Sequence, residues 1–315
     1  MKKPIMIALA EEYLAYRRDM GVQMRVEGRA LLRFARWADR SGHVGPVTTD
    51  LALQWAWLPE KCTRASRAQN LDIVRRFAKY RAIFDAQTEI PPAGLLGPAY
   101  RRTAPHIYSK NQIVQILAMA KTLSPSQGLR PRTYYTLFGL LACTGLRVSE
   151  AIALSKHSVD LQRGVLIILQ SKCHQSRLVP LHPSAIPVLR QYASFRDRYH
   201  TATLSQAFFL SERGMPLTTG GVRAAFRKIR QKSRWRVSPT GRLPRVHDLR
   251  HTFACRRLLG WYKTGVNVDQ AILSLSTYLG HKEVTDTYWY LTAIPELMSL
   301  AAGRLAEFAN AGGAK

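Results

Sequence analysis

The chain has 315 residues, with 47 Lys and Arg against 20 Asp and Glu, a formal net charge of +27. Its 46% hydrophobic content is enough to build cores, in about two domains at roughly 100–200 residues each, and excludes a disordered basic tail. The surplus positive charge therefore lies on the surface of a folded protein, where a polyanion, nucleic acid foremost, is its natural partner.

In chain order, Ile5, Leu9, Tyr13, Tyr16 and Met20 recur near a 3.6 period and predict a helix over 5–20 that ends at Gly21. A second helix is predicted over 27–39, with Leu31, Phe34, Ala35 and Ala38 on one side. Thr48, Thr49 and Asp50 offer caps for a helix over 51–58, which Pro59 stops. A fourth helix over 64–84 carries Leu71, Val74, Ala78 and Ala82 along one side. Nothing here alternates as a strand does, so residues 1–89 read as an all-helical bundle. Proline and glycine crowd 90–98, and Arg101, Arg102 and Pro105 follow, so 90–105 reads as a linker.

The second domain, 106–315, opens on a capping box at Ser109 and Gln112. A helix over about 133–143 breaks at Thr144-Gly145, and a short helix follows from Val148. Runs 165–169 and 177–181 are β-rich and flank the polar turn 171–176, which predicts a hairpin. From Pro183 onward the pattern is helical again. The predicted fold class is thus mostly α with a small β-hairpin (α+β).

No apolar run approaches the roughly 18–20 residues that span a bilayer. Cys62, Cys143, Cys173 and Cys255 are scattered without a Cys-x-x-Cys pair, which argues against a zinc site and a disulfide scaffold and fits reduced thiols in a cytoplasmic protein. The N-terminus makes a poor signal peptide, because Glu11 and Glu12 interrupt it early. No acidic cluster suits magnesium and no Gly-x-x-x-x-Gly-Lys loop cradles a nucleotide, so no cofactor and no metal is expected.

Five pieces of the second domain carry chemistry. Arg147, in Thr-Gly-Leu-Arg-Val-Ser-Glu, sits beside a glycine turn at a helix start, where a guanidinium can fork onto phosphate oxygens; alone it reads as a surface arginine paired with Glu150. Lys172 lies in the hairpin turn and can donate a proton into a groove; alone it reads as a solvated turn lysine. His247 and Arg250 are i,i+3 and share a helix face, an imidazole and a guanidinium suited to a phosphoryl centre. His281 follows Gly280, which can end a helix in the left-handed conformation. Tyr288 and Tyr290 flank Trp289; two apart on a helix, they point about 200° from each other, so one at most faces a given phosphate.

The order Arg147, Lys172, His247-x-x-Arg250, His281, Tyr290 resembles the tyrosine recombinase (phage integrase) family, with Tyr290 nine residues after His281. The resemblance spans the chain, and 1–89 is similar to the family's helical core-binding domain. It implies that Tyr290 attacks a DNA phosphodiester to form a 3′-phosphotyrosyl link. It implies that Arg147 and Arg250 hold the non-bridging oxygens, with Glu150 in support of Arg147. Lys172 is then the general acid to the leaving 5′-oxygen, and His247 and His281 handle protons. Thr-Tyr-Trp-Tyr-Leu is similar to the recombinases of mobile elements.

Arg223, Arg227, Arg230 and Arg234 recur along one face of a helix over 218–232, opposite Val222, Ala225, Phe226 and Ile229. That stripe, placed where the family has its recognition helix, is expected to meet DNA, with Arg64 and Arg67 of the first domain on the other side of a clamped duplex. Leu297, Ala301, Leu305 and Phe308 form a C-terminal apolar stripe. In the family such a helix docks on a neighbour to build a tetramer; folding back on its own domain is the alternative. The expected partners are duplex DNA with a specific target site, further copies of the chain and accessory recombinases, with no membrane. The rival readings are a type IB topoisomerase, a catalytically silent DNA-binding protein and a basic RNA-binding protein.

Overall fold

The computed structural model describes residues 5–99, 104–169, 176–201, 204–233, 235, 242–292 and 302–303. It divides into two units, Met1–Arg102 and Thr103–Lys315. The first holds α1 (Ile5–Asp19), α2 (Arg25–Arg40), α3 (Thr49–Trp57) and α4 (Arg64–Arg81). Side chains start these helices. Asp39 of α2 accepts the amides of Met6 and Ile7 at 2.9 and 3.0 Å and so satisfies orphan donors at the head of α1. Thr48 caps α3 through the Leu51 amide, and Thr63 caps α4 through that of Ser66. Leu14, Leu31, Phe34, Ala52, Val74 and Phe77 close the core.

The end of the fourth helix and the start of the linker differ from the sequence reading. The fourth helix ends at Arg81, and Ile83 and Phe84 continue only in i→i−3 turns. Both side chains are exposed, so no burial stabilises another α-helical turn there. Part of the Pro/Gly-rich stretch packs on the first unit: Arg75 donates to Pro91 O at 2.9 Å, Arg64 to Leu96 O at 3.1 Å, and the half-buried Leu96 packs against the core.

The second unit runs α5 (Lys110–Ala120), α6 (Leu129–Thr144), α7 (Val148–Ile152), β1 (Val159–Asp160), β2 (Val165–Ile168), β3 (Arg177–Pro180), α8 (Ala185–Tyr199), α9 (Thr219–Ser233), α10 (Asp248–Lys263), α11 (Val268–Leu279) and α12 (Thr285–Thr292). The capping box at Ser109 and Gln112 forms in both directions. α6 starts four residues earlier than its pattern suggested. Pro131 falls in its first turn, where a missing N–H costs nothing. Leu129, Leu137, Phe138 and Leu141 bury α6 in the core.

β1, β2 and β3 form an antiparallel sheet in that order, with Val165 opposite Pro180 and Leu166 opposite Val179. Leu166, Ile168 and Val179 point into the core. β1, two residues long, is too short to show a period. α10, α11 and α12 pack a further core from Phe253, Ala254, Cys255, Leu258, Leu275, Leu279 and Tyr290.

Candidate active site

The site begins where α6 stops. Gly145 has φ +65, and a Cβ on it would lie 2.5 Å from Phe253 Cδ1. The left-handed turn and the absence of a side chain are both needed for α6 to end against α10. Two residues on, Arg147 takes the position just before α7. Glu150, in the first turn of α7, reaches back to the Arg147 amide at 3.0 Å and accepts Arg147 Nη1 at 2.8 Å. Burial works against the Glu150 charge, but bonds from Arg177 and Arg147 outweigh it and hold the carboxyl below its usual range.

α11 ends at Gly280, whose φ is +69, with the His281 amide bonding back to Ser276 O. The last carbonyls of a helix lack intrahelical partners and carry the negative end of its dipole. Here three successive carbonyls each receive one arginine. Arg177 Nε donates to Tyr278 O, Arg250 Nη2 to Leu279 O and Arg147 Nη2 to Gly280 O, all at 2.9 Å. Arg250 Nη1 also donates to Gly145 O at 2.9 Å. The helix end thus gathers guanidinium groups from α7, β3 and α10. Burial, and then Arg147, draws Arg250 down to about 10, so it remains charged at neutral pH.

His281 leaves this helix end with Nδ1 sharing a 2.7 Å hydrogen bond with Thr287 Oγ1 of α12. Burial, with Arg250 and Arg147 alongside, pushes His281 down to about 4. His247 stands at the head of α10 and is likewise pushed to about 4, by burial and by Arg250 and Arg245. Both imidazoles are therefore neutral near pH 7 and able to accept a proton as well as donate one.

Tyr290 is 3% exposed, whereas Tyr288 is 43% exposed on the other side of α12. The Tyr290 ring lies 6.1 Å from the His281 ring at 22° and 5.6 Å from that of His251. Burial pushes its phenol up, opposed by the nearby charge of Arg250.

Arg147, His247, Arg250, His281 and Tyr290 thus lie in one site, with Glu150 behind Arg147. Lys172 lies outside the described residues. Of the basic stripe on α9, Arg223 and Arg227 are exposed, Arg230 donates to Pro244 O at 3.1 Å, and Arg234 lies outside the described residues. Arg223, Arg227, Arg230, Arg245 and His247 line a cleft of about 820 Å³ that leads from α9 to the head of α10. In the first unit, Arg67 donates to Pro59 O at 3.2 Å and covers the Trp57 ring, and Arg64 is exposed beyond its bond to Leu96. The C-terminal stripe from Leu297 to Phe308 lies outside the described residues.

Sequence reasoning missed three residues. Asp248, 2% exposed, accepts the Arg245 amide at 2.7 Å and Arg245 Nη2 at 3.1 Å, bracing the turn that carries His247. His251 packs edge-on to His247 with centroids 4.8 Å apart, and beside Tyr290. Its i,i+4 spacing from His247 was the available signal. Arg177 shares the strand face of the buried Val179, and a charge on the inward face of a strand signals a partner. Among the described residues no group of three or more His, Cys, Asp or Glu could hold a metal, and no helix is long and apolar enough to cross a membrane.

Residues 107–296 match the model of the phage integrase family. The chain is 40% identical over 299 residues to y4rB of Sinorhizobium fredii, a protein named as an integrase/recombinase, covering 94% of this chain and 95% of that one. It is 30% identical over 237 residues to the tyrosine recombinase XerC of Chlamydia caviae, covering 74% of this chain and 69% of the relative. Among solved structures it resembles the Tn1549 transposon integrase in complex with transposon right end DNA, with a TM-score of 0.69 at 17% identity over 96% of this chain and 99% of that one. It also resembles the XerH site-specific recombinase bound to a palindromic difH substrate, with a TM-score of 0.65 at 17% identity over 94% and 84% of the two chains. These likenesses show a shared fold, and with the family match and the two relatives they establish that the chain belongs to the phage integrase family, the tyrosine recombinases.

Proposed function

We propose that the chain cuts and rejoins duplex DNA at a specific target with Tyr290 as nucleophile. The observation that carries this is the placement of a buried tyrosine against Arg250 and His281, with Arg147 on the same helix end. An anion of phosphate size meets two guanidiniums and two neutral imidazoles there, and the carboxylate beside Arg147, that of Glu150, is already engaged by arginine, as is that of Asp248.

Tyr290 Oη bonds to the scissile phosphorus as the bond from phosphorus to the 5′-oxygen breaks. The phenolic proton passes to a neutral imidazole, His247 or His281, and Lys172 protonates the departing 5′-oxygen. Arg147 and Arg250 stabilise the charge that builds on the non-bridging oxygens. A 5′-hydroxyl from a partner strand reverses the step; the phosphotyrosyl bond conserves the energy, so the scheme uses no ATP, and the arginines take the charge-stabilising role a metal has in other phosphoryl transfers.

Integration, excision or transposition of a mobile element is the process we assign, supported by the 40% identical integrase/recombinase relative. The working form is a homotetramer on DNA, joined through the C-terminal helix, with accessory recombinases as further partners and the bacterial cytoplasm as its place of action. Residues 1–89 and 106–315 act as core-binding and catalytic domains on either side of a linker. Arg223, Arg227, Arg64 and Arg67 contact the duplex. The test is footprinting on the DNA flanking the gene, followed by incubation of two labelled copies of the protected site. Recombinant products at that site are expected; relaxation of supercoiled DNA without site preference and without exchange would instead establish a topoisomerase.

A further inference from the structure

Arg177 has no part in the scheme above, yet it is the most fully engaged guanidinium of the site. It is on β3, and its side chain is 9% exposed. Nε donates to Tyr278 O at 2.9 Å, Nη1 to Glu150 Oε1 at 3.2 Å and Nη2 to Glu150 Oε2 at 2.9 Å. Glu150 shares the same two oxygens with Arg147, which takes Oε1 through Nη1 and Oε2 through its amide. Arg177 therefore grips the carboxylate that orients Arg147. It also grips the turn of α11 whose following carbonyls hold Arg250 and Arg147 and whose exit delivers His281. The approach is so close that a Cβ on Gly280 would lie 2.6 Å from Arg177 Nη1.

We infer that Arg177 is a positioning residue: through Glu150 and the end of α11 it fixes the Arg147 guanidinium in the orientation that receives the scissile phosphate, without touching DNA itself. The inference rests on the function proposed above. A lysine keeps the charge but cannot fork onto two carboxylate oxygens while also bonding Tyr278 O, so Arg177→Lys is not a conservative change here.

Single-turnover cleavage of a nicked suicide duplex containing the footprinted site tests this, with Arg177→Lys, Arg177→Gln, Arg147→Ala and the double variant Arg147→Ala/Arg177→Gln. On the order of a 10- to 100-fold loss of cleavage is expected for Arg177→Gln, with Kd for the duplex within about two-fold of the parent. The double variant is expected to cleave no more slowly than Arg147→Ala alone. A scissile methylphosphonate has no charge for Arg147 to balance, so on that substrate the Arg177 defect is expected to shrink. A merely destabilised fold would depress both substrates equally. Cleavage by Arg177→Gln within two-fold of the parent, or losses that multiply in the double variant, would overturn the inference. A readout independent of activity keeps the two readings apart: side-chain 15N spectra of the DNA-free protein, with Arg147 assigned by Arg147→Lys. Restricted rotation of the Arg147 guanidinium in the parent and its release in Arg177→Gln are expected; an unchanged signal overturns the inference. A parent that fails to form any covalent adduct would contradict the proposed function alone.

Discussion

Gly280 meets two demands at once, a left-handed backbone and empty space where Arg177 passes. Gly280→Ala is expected to lower the unfolding free energy by about 1–2 kcal/mol from the backbone alone, and to reduce cleavage further by displacing Arg177. Chemical denaturation and cleavage of the same preparation separate the two effects. The histidines make a different statement. His281 and His247 titrate near 4 and His251 near 3 in the fold, well below the usual histidine range. As pH falls from about 6.5 toward 4, the unfolded chain takes up protons that the native site refuses, so stability that is complete above about 6.5 is lost across that window. Denaturant midpoints at pH 7 and pH 5 are expected to differ in that direction, and His281→Gln is expected to flatten the difference. A midpoint that rises on acidification would contradict the neutral site.

At the scale of elements, the end of α11 is the organiser. Its three carbonyls collect arginines that are far apart in the chain: Arg177 reaches Tyr278 across 101 positions, and Arg147 reaches Gly280 across 133. This convergence was not legible in the sequence, because no local pattern records which strand a helix end meets. The helices themselves were legible from a cap with a period, as at Thr48, from a capping box alone, as at Ser109, or from a period alone, as in α4, whose cap at Thr63 went unread. Arg147, His247, Arg250, His281 and Tyr290 were legible as a set by resemblance. α12 buries Tyr290 and exposes Tyr288, which supports the proposal of Tyr290 rather than Tyr288. α9 carries its own expectation. Arg223 and Arg227 are exposed, whereas Arg230 is tied to Pro244 O. Replacing Arg223 or Arg227 by alanine is expected to reduce the slope of log K against log salt by about 0.9 each, the value for one phosphate contact. Binding titrations at several salt concentrations check this; an unchanged slope would place α9 away from the backbone.

Across the whole molecule, which carries a net charge of +27, two kinds of arginine can be told apart among the described residues. Arg147, Arg177, Arg250, Arg64, Arg67 and Arg75 bond carbonyls of their own unit and so build the fold or the site as well as its field. Arg223 and Arg227 on α9 are exposed as well, and like the exposed Arg64 can meet phosphate. Within the first group, Arg147 and Arg250 lie beside the phenol on which the proposed chemistry turns. The most direct measurement is therefore covalent trapping on a nicked duplex containing the footprinted target, with Tyr290→Phe and Tyr288→Phe compared to the parent by denaturing gel. The parent and Tyr288→Phe are expected to give a protein–DNA adduct at the 3′-phosphate, and Tyr290→Phe none. An adduct that persists in Tyr290→Phe, or disappears only in Tyr288→Phe, would contradict Tyr290 as the nucleophile.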